Sequence, residues 1–168
     1  MLIDLSELLS TIDKELDVCA DIEMSRFTSK MCDYEIVKKQ PVLIKLRNTG
    51  KRTFTLTSEI DLTLMIPCDR CLEDVKYDMN IKVNKEIDMN ESENDKTESL
   101  DEQSYIQDNM LDVEKLIYNE ILVNLPMKVL CSENCKGICN RCGANLNSQT
   151  CNLSLIHISE PTRPRLIS

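Results

Sequence analysis

The chain has 168 residues, with 20 Lys and Arg against 29 Asp and Glu, for a formal net charge of −9. A hydrophobic content of 42% suffices for a core, but no stretch is apolar enough for a membrane span. The opening MLIDLSELLS carries acids where a secretory signal carries bases, so we expect a cytosolic protein. In that compartment, nine cysteines indicate metal ligands or redox groups rather than a disulfide scaffold.

Apolar periodicity predicts a short helix followed by several strands. Leu5, Leu8, Leu9 and Ile12 have helical spacing, and Asp4 and Glu7 are placed as a capping pair. A period of two follows, which predicts half-buried strands. The alternating residues are Leu16, Val18, Ala20, Ile22 and Met24, then Cys32, Tyr34 and Ile36, then Val42, Ile44 and Leu46. Residues 48–51 predict a hairpin turn in which Gly50 can adopt a positive φ.

The clearest strands flank Cys68 and Cys71. One face of the first carries Phe54, Leu56, Ile60, Leu62, Leu64 and Ile66, and the second continues with Val75, Tyr77, Met79, Ile81 and Val83. The two cysteines therefore lie at the tip of a long antiparallel hairpin. Consecutive half-exposed strands predict an α+β fold with an antiparallel, partly closed β-sheet.

The second half of the chain divides into an acidic loop, a helix and a cysteine-rich segment. Residues 88–102 hold seven acids and one base, so we predict a disordered loop over 88–104. A long helix is predicted over 112–124, ended by Pro126. The predicted organisation is a β-rich domain over 1–125, with the opening helix, and a cysteine-rich zinc segment over 126–152.

Residues 153–168 are interpreted as a non-native tail. LSLIHISEPTR resembles the in-frame translation of a sequencing-library adapter, and the residues after it continue the resemblance. The single histidine of the chain, His157, lies in this tail. The native sequence that follows residue 152 is therefore expected to be absent.

Seven cysteines have the spacing of zinc ligands. Tight Cys-x2-Cys turns deliver two sulfurs to one ion, and Gly137 and Gly143 permit the positive φ values that such turns use. The predicted ligands are Cys68, Cys71, Cys131, Cys135, Cys139, Cys142 and Cys151. This arrangement indicates one or two closed, structural zinc ions.

The spacing does not decide which cysteines bind the same ion. We favour Cys68 and Cys71 with the pair Cys131/Cys135, which leaves Cys139/Cys142 to form a second site with Cys151 and one further ligand. The competing partition places residues 131, 135, 139 and 142 around a single ion. Cys19 and Cys32 lie in strand-like stretches and are predicted to be ordinary buried thiols.

Catalysis is not expected from this sequence. A catalytic dithiol usually lies at a helix N-terminus, whereas Cys68 and Cys71 lie between two strands, so a thiol redox function is a lesser alternative. Outside the tail there is no histidine to act as a base, and there is no glycine-rich phosphate loop. We therefore predict a protein that is not an enzyme and has no small-molecule substrate.

Positive charge is concentrated in one part of this acidic chain. Residues 24–52 contain eight bases and two acids, and such a segment could contact phosphates. The alternative is that these bases form the exposed sides of amphipathic strands. The candidate nucleic-acid-binding residues are Lys45, Arg47, Lys51, Arg52 and Arg70.

Two motifs together resemble the bacterial YceD family, the large ribosomal RNA subunit accumulation proteins. They are Cys68-Asp-Arg-Cys-Leu72 and Cys131-Ser-Glu-Asn-Cys-Lys-Gly-Ile-Cys-Asn-Arg-Cys-Gly-Ala-Asn-Leu-Asn147. The chain is similar to the version of the family with a cysteine-rich C-terminus. That version typically continues Cys-x-Cys, so a cysteine would be expected where Leu153 stands.

The resemblance implies a cytoplasmic factor for large-subunit ribosome assembly. Its expected partners are precursor large-subunit ribosomal RNA, a zinc-ribbon ribosomal protein of the large subunit, or both. Binding to a membrane is not expected. The hypothesis is that zinc orders the hairpin tip and C-terminal segment into one basic surface, with Arg70 touching a phosphate. The alternative is a zinc-stabilised protein-interaction adaptor without RNA contact.

Overall fold

The computed structural model describes residues 1–90 and 104–148, which are mostly antiparallel β-sheet with two helices. The strands are β1 (Leu2–Asp4), β2 (Glu15–Ala20), β3 (Arg26–Thr28), β4 (Asp33–Lys39), β5 (Val42–Gly50), β6 (Thr53–Pro67), β7 (Asp74–Asp88), β8 (Ile106–Gln107) and β9 (Met110–Asp112). The helices are α1 (Ser6–Ser10) and α2 (Val113–Asn124).

The larger sheet has six strands and is built on the long β6–β7 hairpin. Its order is β2-β5-β6-β4-β3, and β7 pairs with β6. The period-two pattern places alternate side chains of β5 and β6 in the core, as the sequence predicted. The largest fully buried side chains include Phe27, Phe54, Ile44, Leu46, Leu56, Ile60 and Leu64.

The prediction of a partly closed sheet is wrong, because the sheet is open. Among the residues that the structure describes, β7 pairs only with β6, and no pairing joins it to β2 or β3. Alternating hydrophobicity reports which face of a strand is buried. It does not report whether the edge strands have the tilt and stagger that closure needs.

Helix α2 agrees with the predicted bounds, but it is not a long helix. It has 12 residues, or about three turns, and begins directly after β9. Asp112 caps its N-terminus by accepting a hydrogen bond from the Lys115 N–H at 3.4 Å. Its apolar stripe is buried, and Tyr118 stacks on Phe27 with the ring centroids 4.9 Å apart.

The opening helix is also shorter than the helix that the apolar spacing predicts. α1 ends at Ser10, and Ile12 is 64% exposed rather than part of a buried stripe. Asp4 accepts a hydrogen bond from the Ser6 N–H at 2.8 Å, whereas Glu7 pairs with Lys14 instead of completing a capping box. Next to the helix, β1, β9 and β8 form a separate three-stranded antiparallel sheet.

Two local predictions are corrected by the backbone. The hairpin turn after β5 is present, but Arg52 takes the positive φ, at 62°, and Gly50 does not. The alternation that began at Leu16 was expected to continue to Met24, whereas β2 ends at Ala20. A one-residue irregularity in the register between Asn48 and Gly50 shifts the turn, which explains the first difference.

Cys19 and Cys32 are not buried thiols as predicted. Cys19 is exposed and Cys32 is partly exposed, with its sulfur 3.1 Å from the Ser29 hydroxyl. The reason is that Cys19 lies on the outward side of β2, and Cys32 lies in the turn before β4.

The chain forms two compact units. Unit 1 comprises Met1–Leu64 and Tyr77–Leu125, and unit 2 comprises Met65–Lys76 and the residues from Pro126 onward. Strand β7 extends to Asp88, so the predicted acidic loop does not begin there. Most of that loop and the interpreted tail, 153–168, lie outside the described residues. The predicted domain boundaries stay a prediction.

Candidate metal centre

The first two candidate ligands lie in the turn between β6 and β7. The Leu72 N–H donates to the Cys68 carbonyl at 3.0 Å, and the Cys68 N–H donates to the Glu73 carbonyl at 2.8 Å. Leu72 has a φ of 63°, the left-handed conformation that ends the turn. We call residues 68–72 the first knuckle. Its backbone folds both sulfurs toward the same side.

The segment that carries Cys131 and Cys135 is held against the first knuckle by hydrogen bonds. The Asp69 N–H donates to the Val129 carbonyl at 2.8 Å, and the Val129 N–H donates to the Asp69 carboxylate at 2.7 Å. Nη1 of Arg70 donates to the Cys135 carbonyl at 3.0 Å. The two residues between the first pair of cysteines therefore position the second pair.

Four cysteine sulfurs meet at this point. Those of Cys68, Cys71, Cys131 and Cys135 all lie within 4.8 Å of one another, and we call this set the thiol cluster. Cys68 and Cys135 are 3.7 Å apart at sulfur, and Cys71 and Cys131 are 3.5 Å apart. Cys131 is exposed and the other three are buried, with Val75, Leu130 and Ile138 packed against them.

The thiol cluster fits a tetrahedral metal ion. With metal–sulfur bonds of about 2.3 Å, the sulfurs of a tetrahedral site lie about 3.8 Å from one another. The two sulfur–sulfur distances above are close to that value. The cluster could therefore hold a metal ion, and its members are the four cysteines that we favoured as one site.

The surroundings of the cluster shift the pKa values of Cys68 and Cys71 in opposite directions. Burial raises the pKa of the Cys68 thiol, but backbone N–H groups, led by that of Cys71, donate to its sulfur and lower the pKa to about 6. The Glu73 N–H lowers the pKa of Cys71, but burial and the neighbouring thiols raise it to about 12. The lowered pKa favours loss of the Cys68 proton, and a metal ion must displace the protons that remain on the other thiols.

Cys139 and Cys142 form a second knuckle with the backbone geometry of the first. The Gly143 N–H donates to the Cys139 carbonyl at 2.9 Å, and Gly143 has a φ of 73°. These features match the hydrogen bond and the positive φ of Leu72. Neither sulfur belongs to the thiol cluster, and the third predicted ligand of a second site, Cys151, lies outside the described residues.

A family model described as "Large ribosomal RNA subunit accumulation protein YceD" matches residues 56–166. This range is more than half of the chain and contains all seven predicted ligands. The chain belongs to the YceD family. The resemblance inferred from the two cysteine motifs is thereby confirmed. The match reaches into residues 153–168, whose interpretation as a non-native tail stays a prediction.

Curated relatives of this YceD-family chain include an uncharacterized protein of Mycobacterium bovis and uncharacterized proteins of two Mycobacterium tuberculosis strains. Each is 29% identical to it over 82 residues, which are 49% of this chain. The aligned region spans only 40% of the length of each relative. No solved structure matches the chain significantly.

The predicted nucleic-acid-binding residues of this YceD-family chain fall in different surroundings. Lys51 and Arg52 are exposed in the β5–β6 turn. Lys45 and Arg47 lie opposite Asp17 and Glu15 on β2. Arg70 belongs to unit 2, where it bonds to the Cys135 carbonyl. Their role in nucleic-acid binding stays a prediction.

A groove on unit 1 of the YceD-family chain mixes both charges. It has a volume of about 640 Å³ and is lined by acids of β2 and bases of β5. Arg47 lies 3.7 Å from the carboxylates of both Asp13 and Glu15. The acids offset the two bases, so this groove is not a positively charged channel.

Three residues around the cluster were not singled out from the sequence, although the YceD motifs contain them. They are Asp69, Asn145 and Asn147. Asn147 donates to the Cys135 sulfur at 3.2 Å and lowers the pKa of that thiol. Their position within the cysteine motifs was the available signal.

No helix among the described residues has the length and apolar character needed to cross a membrane.

Proposed function

We propose that this YceD-family chain is a non-enzymatic, cytoplasmic factor in the accumulation of large-subunit ribosomal RNA, and that a structural zinc ion orders its unit 2. The family description supports the role. The single structural observation that supports the proposal is the thiol cluster, in which four sulfurs from two distant segments converge.

Zinc is the ion that this donor set suits best. Four thiolates are the ligands of closed structural zinc sites, and soft sulfur ligands select against Mg²⁺ and Ca²⁺. When bound, the ion would supply folding free energy by joining Cys68 and Cys71 to Cys131 and Cys135. Because protons compete with the metal for thiolates, its affinity falls as the pH falls.

The proposal is tested by removing one pair of ligands. The variant C68S/C71S is compared with C19S/C32S, which also removes two thiols but none from the thiol cluster. We expect purified C68S/C71S to lose one zinc ion per chain and C19S/C32S to retain the wild-type content. In a bacterial strain that lacks the protein, C19S/C32S should restore large-subunit ribosomal RNA and C68S/C71S should not.

Each readout can contradict a different part of the proposal. An unchanged zinc content in C68S/C71S would exclude the thiol cluster as the metal site. Normal ribosomal RNA in the strain without the protein would exclude the assembly role, whatever the zinc content.

A protein-interaction adaptor without RNA contact is the second candidate. It is favoured by the acids that lie beside Lys45 and Arg47, and by the bond that engages Arg70 within unit 2. In this case the partner would be a zinc-ribbon ribosomal protein of the large subunit. A complex that survives nuclease treatment favours the adaptor, and one that nuclease abolishes favours contact with precursor RNA.

A further inference from the structure

Asn147 touches the thiol cluster with its side-chain amide. Its Nδ2 lies 3.2 Å from the Cys135 sulfur and 4.0 Å from the Cys131 sulfur. Both sulfurs come from the later of the two ligand segments. An amide N–H directed at a thiolate stabilises the negative charge, since hydrogen bonds to ionised acceptors are the stronger ones.

The orientation of this amide is fixed by a second hydrogen bond. Oδ1 of Asn147 accepts from the Lys136 N–H at 2.9 Å, and Lys136 directly follows Cys135. Rotating the amide by half a turn would place a donor against a donor at Lys136 and an acceptor against the sulfur. The two contacts therefore require that Nδ2 faces the sulfurs.

A chain of hydrogen bonds braces Asn147 against the first knuckle. The Asn147 N–H donates to Oδ1 of Asn145 at 2.9 Å, and Nδ2 of Asn145 donates to the Glu73 carboxylate at 2.5 Å. The Glu73 carbonyl accepts the Cys68 N–H. The amides at 145 and 147 thus connect the two ligand segments without using a sulfur atom.

The four sulfurs are not equally protected. The Cys68 sulfur accepts a hydrogen bond from the Cys131 N–H at 3.3 Å, and the Cys135 sulfur accepts from Asn147. Cys131 is the exposed member of the cluster, and its distance to Asn147 is too long for a strong hydrogen bond. Cys131 is therefore the ligand that an electrophile in solution reaches most readily.

We propose that Asn147 is a positioning residue of the metal centre, which holds the Cys131–Cys135 segment on the ion and slows metal loss through Cys131. Asn145 positions Asn147. This inference rests on the proposed zinc site and adds to it a specific cause of metal retention. Hydrogen-bonding partners of metal ligands typically change metal affinity by about 10- to 100-fold.

The test measures zinc release from the full-length, zinc-loaded protein to a chromophoric chelator. We expect N147A to release zinc about 10-fold faster than wild type. N145A should fall between the two, and N147D should be fastest because it places a carboxylate against thiolate sulfur. The control is N84A, which replaces an exposed asparagine of β7 in unit 1 and should match wild type.

Alkylation provides a second readout that a general loss of stability would not reproduce. Zinc-loaded protein is treated with iodoacetamide and the modified cysteines are located by mass spectrometry. Among the four cysteines of the thiol cluster, we expect Cys131 to react first in wild type, and N147A to accelerate the reaction at Cys131 and Cys135 more than at Cys68. Should N147A not fold, N145A supplies the same comparison.

The outcomes separate this inference from the proposed function. If wild type binds no zinc, the proposed metal site fails, and the inference fails with it. If wild type binds zinc but N147A releases it no faster than N84A, only the inference is overturned. Alkylation that begins at Cys68 in wild type would also overturn it.

Discussion

At the residue scale, two glycines of unit 2 share a backbone conformation but not a neighbourhood. Gly137 has a φ of 79°, and a Cβ added to it would lie 3.2 Å from the Arg70 carbonyl oxygen. Gly143 has a φ of 73°, and a Cβ there would meet no atom within 4 Å. Alanine substitutions at the two positions can therefore separate the free-energy cost of a positive φ from the cost of steric crowding.

Gly137→Ala should therefore destabilise zinc-loaded unit 2 more than Gly143→Ala does. Positive φ alone costs a residue with a Cβ about 1–2 kcal/mol, which Gly143→Ala should show. Gly137→Ala should lose about 1 kcal/mol more, because the first knuckle must move away from the new methyl group. Denaturant unfolding of the two zinc-loaded variants measures the difference. Equal losses would show that the close approach to Arg70 is not required.

At the element scale, Asn48 joins α1 to the hairpin of β5 and β6. Its side chain is fully buried, and Nδ2 donates to the carbonyls of Leu8 at 2.9 Å and Thr11 at 2.8 Å. Oδ1 accepts the Gly50 N–H at 3.0 Å. One side-chain amide thus supplies hydrogen-bonding partners to backbone groups at the end of the helix and at the start of the turn.

Asn48→Ala should lower the free energy of unfolding of unit 1 by about 2–3 kcal/mol, because it removes the Asn48 donor from the buried Leu8 carbonyl and the partly buried Thr11 carbonyl. Asn84→Ala is the matched control, since Asn84 is an exposed residue of β7. It should change stability by less than about 0.5 kcal/mol. Thermal unfolding followed by circular dichroism compares them, and a similar effect of both substitutions would contradict the role of Asn48.

The elements also show how far sequence reasoning reaches. The alternation in β5 and β6 and the stripe in α2 were predictable, because burial imposes a period on the residues themselves. Sheet closure was not, since it depends on which strand edges meet. Among the site residues, cysteine spacing favoured the convergence of Cys68 with Cys135 but left a competing partition open. The hydrogen bond from Asn147 to sulfur could not be predicted, because spacing does not reveal which amide faces a sulfur.

At the scale of the whole molecule, the expected basic surface stays a prediction, and the charge of unit 2 is nearly balanced. The described residues of unit 2 carry five bases and four acids, because Asp69, Glu73 and Asp74 of the hairpin offset the bases that follow the helix. A zinc ion with four thiolates adds a charge of about −2. The concentration of positive charge is in residues 24–52, within unit 1.

If RNA is a partner, Lys51 and Arg52 should matter more than Lys45 and Arg47. The variants K51A/R52A and K45A/R47A remove the same charge, but only the second pair lies opposite acids on β2. We expect K51A/R52A to weaken RNA binding more and to reduce its salt dependence by about two phosphate contacts. Affinities measured over a range of salt concentrations test this. A larger effect of K45A/R47A would contradict it, and no RNA binding by wild type would favour the adaptor.

The separation of the ligand segments along the chain sets the order in which the centre is completed during synthesis. Cys71 and Cys131 are 60 positions apart, so the hairpin emerges from the ribosome well before its partners. Closing a loop of this length costs about 4 kcal/mol in chain entropy. Until then the nascent hairpin offers only two sulfurs, which hold an ion weakly. Capture of the proposed zinc ion would thus be a late event in biogenesis, and a translation product truncated before Cys131 would leave the ribosome without a zinc ion.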